Sequence, residues 1–211
     1  LTDPAPDVTP GSPLFEAFVG EVVTEMTVKA GQKCTAIRRG LVPREHEAAA
    51  LDAIASELAG VTIGNPAAEG VRMGPVVSLA QRDDVRQAAR KIAQSGRFVH
   101  GDPEKVRLID ADPERRAFLD TLLVSADPDA AAPHEVEPFG PAATVLAYRD
   151  TAHATNLVAR GRVASRPPSS ATTSAGRPPS SRRRPPGTGD CTCWTRRTWR
   201  RPPATDRRFP P

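Results

Sequence analysis

Residues 28–40 read VKAGQKCTAIRRG, a glycine turn and then a single cysteine with basic residues on both sides. The thiolate is the nucleophilic form of cysteine, and an ordinary thiol with a pKa of about 8.5 is mostly protonated at neutral pH, so a reactive cysteine needs positive surroundings or a base. Lys29, Lys33, Arg38 and Arg39 are the candidates for that field around Cys34. The competing reading is a small inert residue whose basic neighbours point to water.

Working outward, LTDPAPDVTPGSP reads as a Pro- and Asp-rich loop, with Ser12 as N-cap and Pro13 at the first helical position. Leu14, Phe15, Phe18, Val19, Val22, Val23 and Met26 then recur at the spacing of one buried helical face, and Gly31 is placed to end that helix. CTAIRRGLVP reads as a strand leading into the helix REHEAAALDAIASELAG. VTIGNPAAEGVRMGPVVS reads as a loop, LAQRDDVRQAARKIAQSG as a helix ending at Gly96, and RFVHG as a short strand. AFLDTLLVSAD and ATVLAYRD have strand lengths and flank the loop PHEVEPFGP. Strands alternating with helices of this size predict an α/β layer architecture with a largely parallel sheet over residues 1–160. Asp83 and Asp84 read as first-turn residues stabilised by the helix dipole.

The net charge of +4 conceals two unlike parts. Residues 161–211 hold twelve arginines and no lysine against two aspartates, a local +10 that leaves −6 on residues 1–160. This tail holds ten of the 23 prolines and both tryptophans, has no helical or strand period, and reads as disordered. Three readings of it stand side by side: an out-of-frame segment, since a shifted reading of compatible codons yields a strand-and-turn stretch and a second, strand-like stretch of balanced charge; a solvated linker; and a basic arm that binds nucleic acid through phosphates. No apolar run is long enough to span a membrane. Three cysteines, at 34, 191 and 193, make no disulfide framework, which favours a reducing, cytoplasmic setting. Cys191 and Cys193 lack a second ligand pair, so no metal site is expected.

AGQKCTAIRR resembles the catalytic-cysteine segment of the aldehyde dehydrogenase superfamily. TIGNP, MGPVVS (73–78), DTLLV and EPFGPAATVL from Glu137 follow in that family's order. Most of the superfamily has Phe and Asn where Thr27 and Lys29 stand here. EMTVKAGQKCTAIRR is instead similar to the branch acting on acyl-CoA semialdehydes in phenylacetate and benzoyl-CoA breakdown. The resemblance implies a partial α/β catalytic domain with Rossmann-like layers, from a cytoplasmic parent that forms homo-oligomers. It implies Cys34 as the nucleophile whose own backbone N–H donates to the oxyanion, and Glu137 on the nicotinamide-side ribose of NADP or NAD. Phe139 would pack near the nicotinamide, and Gly31 and Gln32 would shape the loop.

The family's Gly-rich dinucleotide turn, its oxyanion-hole asparagine and its general-base glutamate have no counterpart here; Glu16, Glu21 and Glu25 match no motif glutamate. The chain therefore reads as a fragment that does not turn over aldehyde by itself. His46, His100, His134 and His153 sit in no recognisable motif and are not read as bases for Cys34.

Overall fold

Ser12 begins the first helix as its place before Pro13 predicts. In the computed structural model, which describes residues 7–112 and 116–161 and the backbone of Cys191–Cys193, its Oγ accepts from the Phe15 N–H at 3.3 Å. Helix α1 (Pro13–Thr27) buries Phe15, Phe18, Val19, Val22, Val23 and Met26. Each such side chain is worth roughly 1.5–3 kcal/mol against exposure. Strand β1 (Arg39–Pro43) follows, then a short 3₁₀ turn and helix α2 (Glu47–Ala59). The strand expected from Cys34 onward starts only at Arg39, because Cys34 and Thr35 form a turn in which the Ala36 N–H reaches back to the Lys33 carbonyl.

Beyond α2 come strand β2 (Ile63–Gly64), helix α3 (Leu79–Ala93), strands β3 (Gly96–His100), β4 (Leu108–Ile109) and β5 (Leu122–Ala126), and the short helix α4 (Ala132–Glu135). Strand β6 (Ala142–Tyr148), helix α5 (Thr151–Arg160) and strand β7 (Cys191–Cys193) complete the described elements. Ser78 caps α3 by accepting from the Gln81 N–H at 3.1 Å. That cap puts Leu79–Arg82 in the first turn, so Asp83 and Asp84 lie a turn later than expected. Asp83 there pairs with Arg82 and Arg86.

The main sheet runs β3-β5-β6-β1-β7; every pair is parallel except β3 with β5. Successive strand residues point to opposite faces, and the core divides accordingly. Val42, Leu123, Ala143 and Val145 pack with α1 and α2. Leu41, Val124 and Leu146 pack with Ile92 of α3 and Leu157 of α5, while Leu122 and Ala142 meet Val85 and Ala89 of α3. The result is the expected α/β layering with a mostly parallel sheet. A separate parallel pair joins β2, within the expected loop 61–78, to β4; Ile63, with Met73 and Phe118, packs against Ala30 and so supports the turn before Cys34.

The tail readings lie outside the described residues except at one point, where the expectation of no strand is corrected: Cys191–Cys193 extends the sheet beside Arg39–Leu41. Among the described residues no helix is long and apolar enough to cross a membrane.

Candidate functional site

α1 does not run to Gly31. It ends at Thr27, and Val28–Gly31 forms a tight 3₁₀ turn in which Lys29 (φ 55), Ala30 (φ 51) and Gly31 (φ +67) all take the left-handed region. Such backbone is costly for residues other than glycine and persists only where its surroundings hold it. Here Ala30 is buried in the small cluster of Ile63, Met73 and Phe118, and Gly31 touches the loop before β6 so closely that a Cβ on it would stand 2.3 Å from the Gly140 carbonyl oxygen. The turn delivers Cys34 as a free, exposed thiol at the amino end of β1.

Glu137 and Phe139 stand at the amino end of β6, which pairs directly with β1. Cys34, Glu137 and Phe139 line one cavity of about 250 Å³, with Arg38, Arg39, His134 and Thr144 among its other walls. The Glu137 side chain is 40% exposed and Phe139 37%, so both the carboxylate and the ring are open at this cavity rather than spent in the core. The site lies where the strands begin, whereas open doubly wound sheets usually bind ligands beyond the strand ends.

The four basic residues around Cys34 divide their labour. Lys33 is ion-paired with Glu25 at 2.6 Å. Lys29 is exposed on the left-handed turn. Arg39, buried, donates to His134 Nδ1 at 2.7 Å and to the Leu157 carbonyl at 3.2 Å. Arg38, also buried, donates to the carbonyls of Gly31 (2.6 Å), Gly140 (2.8 Å) and Lys33 (3.2 Å). Its Nε lies 3.7 Å from Glu137 Oε1, and its guanidinium carbon is 5.4 Å from the centre of the Phe139 ring.

Two amides complete the frame. Gln32 Oε1 accepts from the Val77 N–H at 2.9 Å, and Gln81 Nε2 donates to the Phe139 carbonyl at 3.2 Å. Neither the Gln81 contact nor the Arg38 span was anticipated; the only hint was the presence of Arg38 in the basic cluster.

His134 shares the cavity wall but is committed. An arginine cannot accept, so Nδ1 must accept from Arg39, leaving the Nε2 hydrogen to donate to the Pro128 carbonyl at 2.8 Å. Burial, ahead of the neighbouring arginine charges, holds its pKa below the usual histidine range. It is no base for Cys34. His153, in the first turn of α5, faces Asp129 through its Nε2 at 3.3 Å and lies away from the cavity.

Residues 14–164 match the aldehyde dehydrogenase family. The chain belongs to that family. Among curated members of the aldehyde dehydrogenase family, it is 45% identical over 158 residues to 3,4-dehydroadipyl-CoA semialdehyde dehydrogenase of Aromatoleum evansii, a match covering 74% of this chain and 31% of that protein. It is 32% identical over 136 residues to a putative aldehyde dehydrogenase of Staphylococcus haemolyticus, covering 64% and 27%. The chain thus spans about a third or less of the length of these relatives. Among solved structures, methylmalonate-semialdehyde dehydrogenase of Oceanimonas doudoroffii superposes with a TM-score of 0.61 at 20% identity, covering 71% of this chain and 30% of that one. Aldehyde dehydrogenase C of Pseudomonas syringae, solved with NAD+ and octanal, gives 0.60 at 23%, covering 72% and 30%. These likenesses show the aldehyde dehydrogenase fold.

Proposed function

We propose that Cys34 is the nucleophile of an oxidation that takes an acyl-CoA semialdehyde to its acid, with NADP or NAD as hydride acceptor, in the breakdown of an aromatic compound. One observation carries the reading: a free exposed thiol, an exposed carboxylate and an exposed aromatic ring, from loops about a hundred residues apart, open onto one cavity. The similarity to a CoA-semialdehyde enzyme at 45% identity supports the substrate class.

The Cys34 thiolate adds to the aldehyde carbon, forming the C–S bond and moving the carbonyl π pair onto oxygen. The backbone N–H of Cys34 donates to that oxyanion, a contribution of about 3 kcal/mol for one such donor. Glu137 and Phe139 fit a dinucleotide's nicotinamide half: a carboxylate accepts from ribose hydroxyls, and the exposed part of the aromatic ring offers apolar surface. A bound nicotinamide supplies a hydride acceptor, so the carbon held on Cys34 is left as a thioester. Water then cleaves the C–S bond, giving the acid and returning the thiol. Glu25, the carboxylate on α1 nearest in sequence, is held by Lys33 and serves no base role.

The sequence contains no Gly-rich dinucleotide turn, and the 211-residue chain by itself adds aldehyde without turnover. The test follows Cys34 alkylation by peptide mass spectrometry, with and without saturating acyl-CoA semialdehyde, while NADPH formation is monitored. The aldehyde should slow alkylation of Cys34 several-fold and leave Cys191 and Cys193 unaffected, with no NADPH above buffer. Unprotected Cys34 would sink the nucleophile assignment; NADPH production would sink the claim of no turnover.

A further inference from the structure

We propose that Arg38 is a positioning residue whose single guanidinium sets the nucleophile loop and the Glu137–Gly140 loop in register, so that Cys34 and Glu137 face one cavity. The proposal rests on the reading of Cys34 and Glu137 given above and adds to it the part that holds them together.

This cation reaches both of those loops. Gly31 and Lys33 offer carbonyls from the cysteine side; Gly140 offers a carbonyl, Glu137 a carboxylate and Phe139 a ring face from the other. No single neutral donor spans that set. A lysine brings the charge without the planar fork needed to reach carbonyls on both sides at once. The guanidinium is buried and both of its Nη nitrogens donate to carbonyls, so the tie is an interior one rather than a surface contact. Arg39, one residue on, makes none of these contacts and spends its donors on His134 and Leu157.

Two consequences separate positioning from bulk packing. First, Arg38 is a counter-charge of Glu137, so its removal leaves a less compensated carboxylate on the cavity that Cys34 also lines. Second, the two loops should loosen together while the helices behind them do not.

The experiment measures Cys34 alkylation in the full 211-residue chain by iodoacetate and by iodoacetamide. The ratio of the two rates cancels any change in general exposure. Arg38→Met should lower the ratio of anionic to neutral reagent about threefold or more, the order expected of one unit charge within several ångströms in a largely aqueous setting. Adding Glu137→Gln to that variant should restore it. Arg38→Lys should keep the ratio within about twofold of wild type. In the same lysine variant, hydrogen exchange should accelerate in residues 28–36 and 137–142 and stay unchanged in α2.

An unchanged ratio in Arg38→Met with α2 exchange intact overturns the proposal, as does failure of Glu137→Gln to restore it. If Arg38→Met does not fold, the lysine variant decides: unaltered exchange in residues 137–142 overturns the tie. The reading beneath fails differently, because a wild-type Cys34 alkylated no faster than Cys191 and Cys193 would remove the nucleophile assignment whatever Arg38 does.

Discussion

Gly31 and Gly140 meet backbone against backbone: a Cβ placed on Gly31 would stand 2.3 Å from the Gly140 carbonyl oxygen and 3.0 Å from that of Met26, at a φ of +67. This contact sets the turn leading to Cys34 directly against the loop bearing Glu137. Gly140 is hemmed in from its other side, since a Cβ there would lie 2.6 Å from Val85 Cγ2. A substitution at either glycine has no void to relax into.

Gly31→Ala should therefore cost about 2 kcal/mol or more, the sum of a disfavoured φ and an overpacked contact. Urea denaturation should show the midpoint falling at constant slope. A loss below about 0.5 kcal/mol would mean that the two loops are free to separate.

Lys29→Gly makes the opposite change. Lys29 is exposed and left-handed at φ 55, so glycine relieves the backbone without emptying a packed site. The greater freedom of glycine in the unfolded chain offsets part of the gain, and a net rise of about 0.5 kcal/mol in unfolding free energy is expected.

Much of the layering was legible because its signals are local. The Ser12–Pro13 start, the apolar face of α1, the Gly96 break and the two apolar runs that became β5 and β6 each depend on neighbours within a few residues. The left-handed conformations of Lys29 and Ala30 were not legible, because neither residue type advertises a positive φ and the turn is held from beneath by Ile63, Met73 and Phe118. The two-residue strands β2 and β4 carry too few residues for any period to show. Within the site, the residue types of Cys34, Glu137 and Phe139 stood out in their motifs. The span from Arg38 to Gly140 depends on the register of β1 with β6, which pattern alone does not set.

Stability should respond to pH through His134. Its folded-state pKa lies below the ordinary histidine value because burial disfavours the imidazolium and Arg39 occupies Nδ1. The unfolded state therefore binds the proton more readily. This contribution is fully present above the unfolded pKa of about 6.5 and is lost as pH falls from there toward the folded value. His134→Gln should flatten that part of the profile, read as denaturation midpoints between about pH 5 and 7. An unchanged slope would exclude His134 as its source.

Cys34→Ala should separate reactivity from folding. The side chain is exposed, so the unfolding free energy should move by no more than about 0.5 kcal/mol, while protection by the semialdehyde disappears with the thiol. A large stability loss would place the sulfur in the packing.

Arg38 and Gly140 are 102 positions apart, and both described neighbours of β1, namely β6 and β7, come later in the chain. At roughly 5–20 residues per second of ribosomal synthesis, the Cys34 thiol emerges about 5–20 s before the loop that shares its cavity. During that interval the growing polypeptide carries β1 without either of its described neighbours, an open edge on which no backbone partner has yet been made.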